Sequence, residues 1–289
     1  MVHRISPPVT SERTARLAVV TPLANERGVI DELVGRVMKQ LGPADRMFCV
    51  FDNVSTDGSL ERARELALAE PRLTVVWAPE NRCVVDAYFR GYREALAGGF
   101  DWILEMDGGL SHLPEEIPKF IEAMRAGYDF AGGSRFMAGG AFSGPLFRRI
   151  VSRVGTILAN VMLGTRMRDM TSGFECFTHP ALSRVLATGV RSKAHFFQTE
   201  IRYAMHALRW VEVPIHYGCP SQSVGKASLG EAFGILWQLF RERRTGRAHG
   251  IKSGESSGDV GGGASHLRDD QHPGADGVRA APGAGSVRP

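Results

Sequence analysis

Between residues 17 and 132 the chain alternates short apolar runs with stretches whose apolar residues recur every three to four positions. That alternation restricts the fold more than any other feature. Residues 17–21 form a β-branched run that Pro22 ends, and residues 47–51, 73–78, 102–106 and 128–132 form further runs of strand length. Between the first two, Ile30, Leu33, Val34, Val37, Met38 and Leu41 keep a period of 3.6, which predicts an amphipathic helix. Further helices are predicted at 60–68, with Asp57 and Ser59 as N-cap candidates, near 84–96 and near 114–124. Strand–helix–strand units at this spacing close into parallel βαβ pairs. The predicted class is therefore α/β, a Rossmann-like, mostly parallel sheet with helices on both faces. In such sheets ligands bind at the carboxyl ends of the strands.

Composition sets the outer limits. The net charge of +4 on 289 residues is too small to mark a nucleic-acid binder, and no nucleic acid is expected as a partner. Cys49, Cys83, Cys176 and Cys219 lie more than thirty residues apart, which excludes a zinc finger or a disulfide scaffold and fits a reducing compartment. The first residues lack the apolar core of a secretory signal, and no run approaches the roughly 18 apolar residues of a membrane span. A cytoplasmic protein is expected. Residues 246–289 hold 11 glycines and no aromatic residue, so they are predicted to be disordered. Residues 1–15 read as a flexible start, leaving one folded domain over 16–245.

Three predicted strands each deliver a carboxylate to one sheet edge: Glu26 after the first, Asp52 after the second and Asp107 after the fourth. Turn and cap chemistry accounts for one such residue, whereas three at a common edge point to a shared polar pocket. Two phosphate-binding signatures are absent. No GxGxxG follows a strand, and Pro220 stands where a P-loop ending at Gly225-Lys226 needs its first glycine.

The segments VVTPLANE, FDNVSTDGS, MDGGLSHLPEEIP, GGSRFMAGG, RDMTSGFECF, FQTE and VEVPIHY occur in this order over residues 16–230. In that order they resemble family 2 glycosyltransferases of GT-A fold, in the branch similar to dolichol-phosphate mannose synthases. The resemblance implies an inverting transferase that moves a hexose, with a mannose-type donor favoured, from a nucleotide-diphosphate sugar to a polyprenyl or dolichyl phosphate. It places Pro22, Asn25, Glu26, Asp52 and Asn53 around the base and ribose, and Asp107, Gly108 and Gly109 beside the sugar and diphosphate. It gives Ser134, Arg135, Arg149 and Lys226 to the acceptor phosphate, a task suited to the bidentate guanidinium. Asp169, Thr171, Ser172 and Gly173 match the pocket that follows, and Gln198 with Glu200 an acidic pair near the sugar. Asp107, Arg135 and Glu200 are the catalytic candidates.

The chain departs from this family at its metal site. The DxD motif reads Asp107-Gly108-Gly109, and Ser111 stands two residues on, where glutamine is usual. Asp107 is left as the one protein ligand to Mg²⁺ or Mn²⁺, which makes a divalent cation weakly held or dependent on the diphosphate. Asn53 replaces a second aspartate, and of the closing basic motif only Lys226 survives. Two alternatives follow. One is a transferase acting on a soluble small-molecule acceptor, with Asp169 or Glu200 as base. The other is a protein that binds a nucleotide sugar without turnover.

Two apolar stripes bear on a lipid acceptor. Ile150, Val154, Ile157, Leu158, Val161 and Met162 follow a basic start at Arg148, Arg149 and Arg153. Ala232, Phe233, Leu236, Trp237 and Phe240 precede Arg241, Arg243 and Arg244. Such helices either face the core or lie on a membrane surface, giving peripheral contact at its cytoplasmic face.

Overall fold

The computed structural model describes residues 15–218 and 226–246, with the side chains of 226–228 excepted. The flexible start and the disordered segment expected from the sequence lie almost wholly outside the described residues.

Strands β1 (Leu17–Pro22), β2 (Arg46–Phe51) and β3 (Leu73–Trp77) are linked by helices α1 (Ile30–Met38) and α2 (Ser59–Ala69). Helix α3 (Val84–Ala97) leads to β4 (Trp102–Glu105), and α4 (Ile117–Arg125) to β5 (Phe130–Ser134). Then follow β6 (Ala141–Phe142), α5 (Leu146–Leu163), β7 (Glu175–Thr178), α6 (His179–Thr188) and α7 (Phe197–Met205). Strands β8 (Trp210–Pro214) and β9 (His216–Tyr217) precede α8 (Lys226–Arg244).

The main sheet has the order β3-β2-β1-β4-β7-β5-β8. β7 runs antiparallel to both neighbours, β4 and β5, and the other pairs are parallel. The α/β class with helices on both faces is thus the observed one. The antiparallel strand, which the βαβ alternation does not predict, inverts local direction and brings the 169–174 segment to the edge where β1, β2, β4, β5 and β8 end.

Alternation along the strands divides the core. Ala18, Val20, Phe48 and Val50 join one cluster, with residues of α3, α5, α6, α7 and α8. Leu17, Val19, Met47 and Cys49 join the other, with residues of α1, α2 and α4. Period-two side chains buried on both faces are what a covered sheet requires. Close approach of α3 depends on Gly91, because a Cβ there would stand 2.3 Å from Val20 Cγ1. The predicted helix near 114–124 divides into a 3₁₀ turn, Pro114–Glu116, and α4. Pro114 and Pro118 sit in the first turns of these pieces, where a missing N–H costs nothing. Neither Asp57 nor Ser59 occupies the cap of α2. Gly58 does, with φ at 86°, a left-handed conformation that glycine adopts without strain.

Candidate active site

The edge formed by the strand ends carries two halves. The first is built on the loops after β1, β2 and β4. Asn25, at φ 58°, spends its amide on the chain itself: Oδ1 accepts from Thr56 N at 2.9 Å and Nδ2 donates to Val54 O at 3.0 Å. Asn53 donates to Pro79 O at 2.8 Å, and Asp52 Oδ1 accepts from Val54 N at 3.0 Å. Ser59 Oγ accepts from Glu26 N at 2.8 Å and also bonds Asp57. These bonds tie the 22–26 and 52–59 loops into one wall. Burial, and then the charges of Asp57 and Asp107, raise the Glu26 carboxyl above its usual range.

Asp107, just past β4, is held from three directions. Tyr88 of α3 donates to Oδ1 and Ser111 Oγ to Oδ2, each at 3.1 Å. The Asp107 backbone N–H donates to His112 Nδ1 at 3.1 Å. His112 is therefore the Nε2–H tautomer, and burial holds its imidazole below the usual pKa. Its ring stacks on Phe174 at 4.8 Å and meets Tyr217 edge-on at 5.3 Å. In the chain between Asp107 and His112, Leu110 sits at φ 58°, a strained conformation for a leucine. Gly218 N donating to Ser111 O at 2.7 Å, and the bridge between His112 and Tyr217, hold the loop in place. At Gly108 a Cβ would fall 2.3 Å from Leu23 Cδ2 and 2.9 Å from Pro22 O, so only glycine lets the β4 loop lie against the β1 loop.

The second half follows β5. Arg135 is buried with Asp169: Nε reaches Oδ2 at 2.7 Å, Nη2 reaches Oδ1 at 2.9 Å, and the Arg135 backbone N–H donates to Oδ2 at 3.1 Å. Nη2 also donates to Thr171 Oγ1 at 2.6 Å. The rings of Phe136, Phe142 and Tyr217 lie 5.3–5.4 Å from the guanidinium carbon. The hydroxyl of Ser134 is buried without a hydrogen-bond partner among the described residues. Beneath lies Arg202, fully buried, whose Nε meets Glu175 at 2.6 Å and whose Nη2 donates to Gly133 O at 3.0 Å. It also bonds the carbonyls of Asp169 and Ser172, so one guanidinium holds β5, β7 and the 169–172 segment together.

Several expected site residues are placed differently. Glu200 does not join Asp107, for its carboxylate accepts the backbone N–H groups of Arg191 (3.1 Å) and Ser192 (2.9 Å). The pair it was expected to form with Gln198 is divided, since Gln198 Nε2 donates instead to Glu105 Oε1 at 3.2 Å. Asp169 is unfit as a base, because Arg135 outweighs its burial and holds its carboxyl down at about 2. Arg149 lies exposed in the first turn of α5. Lys226 opens α8, and its side chain lies outside the described residues. Tyr88, His112 and Tyr217 had no expected role. His112 and Tyr217 stood within quoted segments, but nothing local to either shows a contact made a hundred residues away.

Among the described residues no group of three or more His, Cys, Asp or Glu is placed to hold a metal ion. The 107–111 loop offers one carboxylate, and each of its oxygens already accepts a hydroxyl. That donor set does not fit a cation held by the protein alone.

Comparisons with known proteins agree with this architecture. The chain is 33% identical over 84% of its length to a polyprenol monophosphomannose synthase of Mycolicibacterium smegmatis, 94% of which is covered. It is 30% identical over 70% of its length to an undecaprenyl-phosphate mannosyltransferase of Micrococcus luteus, 83% of which is covered. A glucosyl-3-phosphoglycerate synthase from Mycobacterium tuberculosis, solved with uridine diphosphate, shares the fold at a TM-score of 0.56 and 17% identity, over 85% of this chain and 87% of that one. The same enzyme has been solved with Mn²⁺, uridine diphosphate and phosphoglyceric acid, at a TM-score of 0.55 and 16% identity, over 81% of this chain and 79% of that one. The model of glycosyl transferase family 2 matches residues 18–186, more than half of the sequence, and the chain belongs to that family.

Proposed function

We propose that the protein transfers a hexose, with mannose favoured, from a nucleotide-diphosphate sugar to a polyprenyl phosphate, inverting the anomeric centre. The observation that carries this reading is Tyr217. Its hydroxyl lies within reach of Ser111 and under the charges of both Asp107 and Arg135, so the two halves meet at one point of the sheet edge. The sequence relationship to mannosyltransferases of polyprenyl phosphates supports the choice of acceptor.

The nucleotide lies along Pro22, Asn25, Glu26, Asp52 and Asn53, where Asp52 accepts from ribose hydroxyls or base N–H groups and Asn25 acts through the loop it fixes. The diphosphate and sugar lie at Asp107, Gly108 and Gly109. The acceptor phosphate lies at Ser134, Arg135 and Arg149, with Lys226 as a further cation. A phosphomonoester is already anionic near neutral pH and requires no base, in keeping with the engagement of Asp169 and Glu200 elsewhere. Its oxygen attacks the anomeric carbon as the bond to the diphosphate breaks on the opposite face. Positioning by Arg135 and Arg149 supplies much of the rate. Asp107 would be the one protein ligand to a divalent cation carried by the diphosphate, and such a cation would supply charge neutralisation on the leaving group.

The test is a transfer assay with radiolabelled GDP- and UDP-sugars, undecaprenyl phosphate and a panel of soluble hydroxyl acceptors. Label in the lipid phosphate with inverted configuration is the expected result. Transfer to a soluble acceptor alone, or saturable donor binding without product, would replace this reading with one of the two alternatives.

A further inference from the structure

Ten of the thirteen large apolar side chains that stand exposed among the described residues lie on two helices. Seven are on α5: Leu146, Phe147, Ile150, Val154, Ile157, Leu158 and Val161, between 37% and 73% exposed. Their spacing of three to four residues makes a stripe along one face of a helix roughly 27 Å long. Leu229, Phe233 and Trp237 continue the exposed surface on α8, which packs beside α5. The opposite faces are occupied: Thr156, Ala159, Met162 and Leu163 of α5 and Ile235, Leu236 and Leu239 of α8 are buried. Each amphipathic stripe therefore splits, one flank packing on the core and the other facing outward. A surface of this extent is covered in use.

Charge identifies what covers it. Helix α5 carries Arg148, Arg149 and Arg153 and no acidic residue, and α8 ends in Arg241, Arg243 and Arg244, its two acids being engaged elsewhere, Glu231 by Ser192 and Lys193 and Glu242 by Arg191. A second copy would bring the same arginines and no acid from α5 to meet them, whereas an anionic bilayer complements both the apolar stripe and its cationic ends. The stripe is also continuous with the acceptor half of the site. The Arg153 guanidinium lies 4.7 Å from the ring of Phe136, next to Arg135, and Thr156 Oγ1 accepts from Met170 N at 3.1 Å beside Asp169.

We infer that the outer face of α5 and α8 lies in the headgroup region of an anionic membrane and presents the Arg135–Arg149 end of the site to lipid phosphates. This rests on the proposed lipid acceptor for its choice of occupant. No helix among the described residues is long and apolar enough to cross the bilayer.

The experiment is co-sedimentation of the full chain with vesicles of phosphatidylcholine, alone or mixed with phosphatidylglycerol, and free of polyprenyl phosphate. Ile157→Glu/Val161→Glu and Phe233→Glu/Trp237→Glu place charges on exposed positions outside the site, and melting curves verify that both variants fold. Sedimentation with the phosphatidylglycerol vesicles that weakens with salt, and an affinity at least about tenfold lower in each folded variant, is the expected result. No sedimentation, or undiminished sedimentation of the variants, overturns the inference. So does a solution dimer that the glutamates dissociate, which would assign the face to a second copy. These vesicles hold no acceptor and the measurement needs no turnover. A protein that sediments yet transfers nothing refutes the proposed reaction alone.

Discussion

Arg135 and Asp169, 34 residues apart, meet through two parallel bonds of 2.7 and 2.9 Å with both side chains buried. The guanidinium assigned to the acceptor phosphate is thus already half used by a carboxylate of its own chain. The pair does two things at once: it fixes the first residue past β5, and it leaves Nη1, with no hydrogen bond among the described residues, as the part able to serve a ligand.

Breaking this pair from the acid side is expected to be severe. Asp169→Ala leaves a buried unpaired cation and should cost about 3–5 kcal/mol in urea unfolding. Because the Asp169 carboxyl is depressed to about 2, its contribution is complete above the ordinary carboxylate range and is lost as pH falls toward that value. The stability gap between wild type and Asp169→Asn should therefore be constant near neutrality and shrink below about pH 4. Arg135→Lys keeps the charge but loses the fork, and should raise the KM for the lipid acceptor without changing donor affinity.

Tyr88→Phe and Ser111→Ala each remove one hydroxyl from Asp107. A hydrogen bond to a charged group contributes about 1.5–3 kcal/mol, so each variant should lose roughly tenfold to a hundredfold in kcat if Asp107 must be oriented for turnover. Donor KM should move less than kcat. Unchanged kcat in both would show that Asp107 needs no such support.

Gly108→Ala puts a methyl group against Leu23 and the carbonyl of Pro22. The backbone contact cannot yield as a side chain would, so the 107–112 loop must shift, and nucleotide-sugar binding should weaken at least tenfold by calorimetry. Asp52→Ala should weaken the same binding by roughly 1.5–3 kcal/mol with little change in melting temperature, since the one protein bond it loses lies in an exposed turn.

Glu105 and Glu175 face each other across β4 and β7, fully buried, with Tyr92 and Gln198 donating to the first and Arg202 to the second. Glu175 Oε2 is buried with no hydrogen-bond partner among the described residues. Burial raises Glu175 to about 7 against the pull of Arg202, and burial and then Glu175 raise Glu105 well above its usual range. A raised carboxyl stabilises the fold below its unfolded pKa and loses that contribution as pH rises through the folded value. Melting temperature should accordingly fall as pH climbs from about 4.5 through 7. Glu105→Gln, neutral at every pH, should remove most of that slope.

The α/β class, the strand-end edge and the position of Asp107 just past a strand were legible in the sequence because each depends on short-range pattern. Hydrophobic periods report which face of an element is buried, and a residue after a parallel strand lies at the ligand edge wherever the strand sits. Glu200 was misplaced for the converse reason. Nothing in the FQTE segment distinguishes a carboxylate that faces a ligand from one that accepts the N–H groups of Arg191 and Ser192. The stripes on α5 and α8 were legible as amphipathic, but periodicity could not say whether the core or the exterior received them.

The sequence by itself determined the strand–helix alternation, the loss of the second DxD carboxylate and the set of polar residues available at the strand ends. Only the tertiary structure decided how they are used. The antiparallel insertion of β7 between β4 and β5 brought Asp169 to Arg135 and Glu175 to Glu105, while the 215–218 segment brought Tyr217 to Ser111 and His112. These contacts join residues 34 to about a hundred positions apart. Their energies arise from burial and mutual desolvation, which exist only once the chain has folded, so no local pattern encodes them.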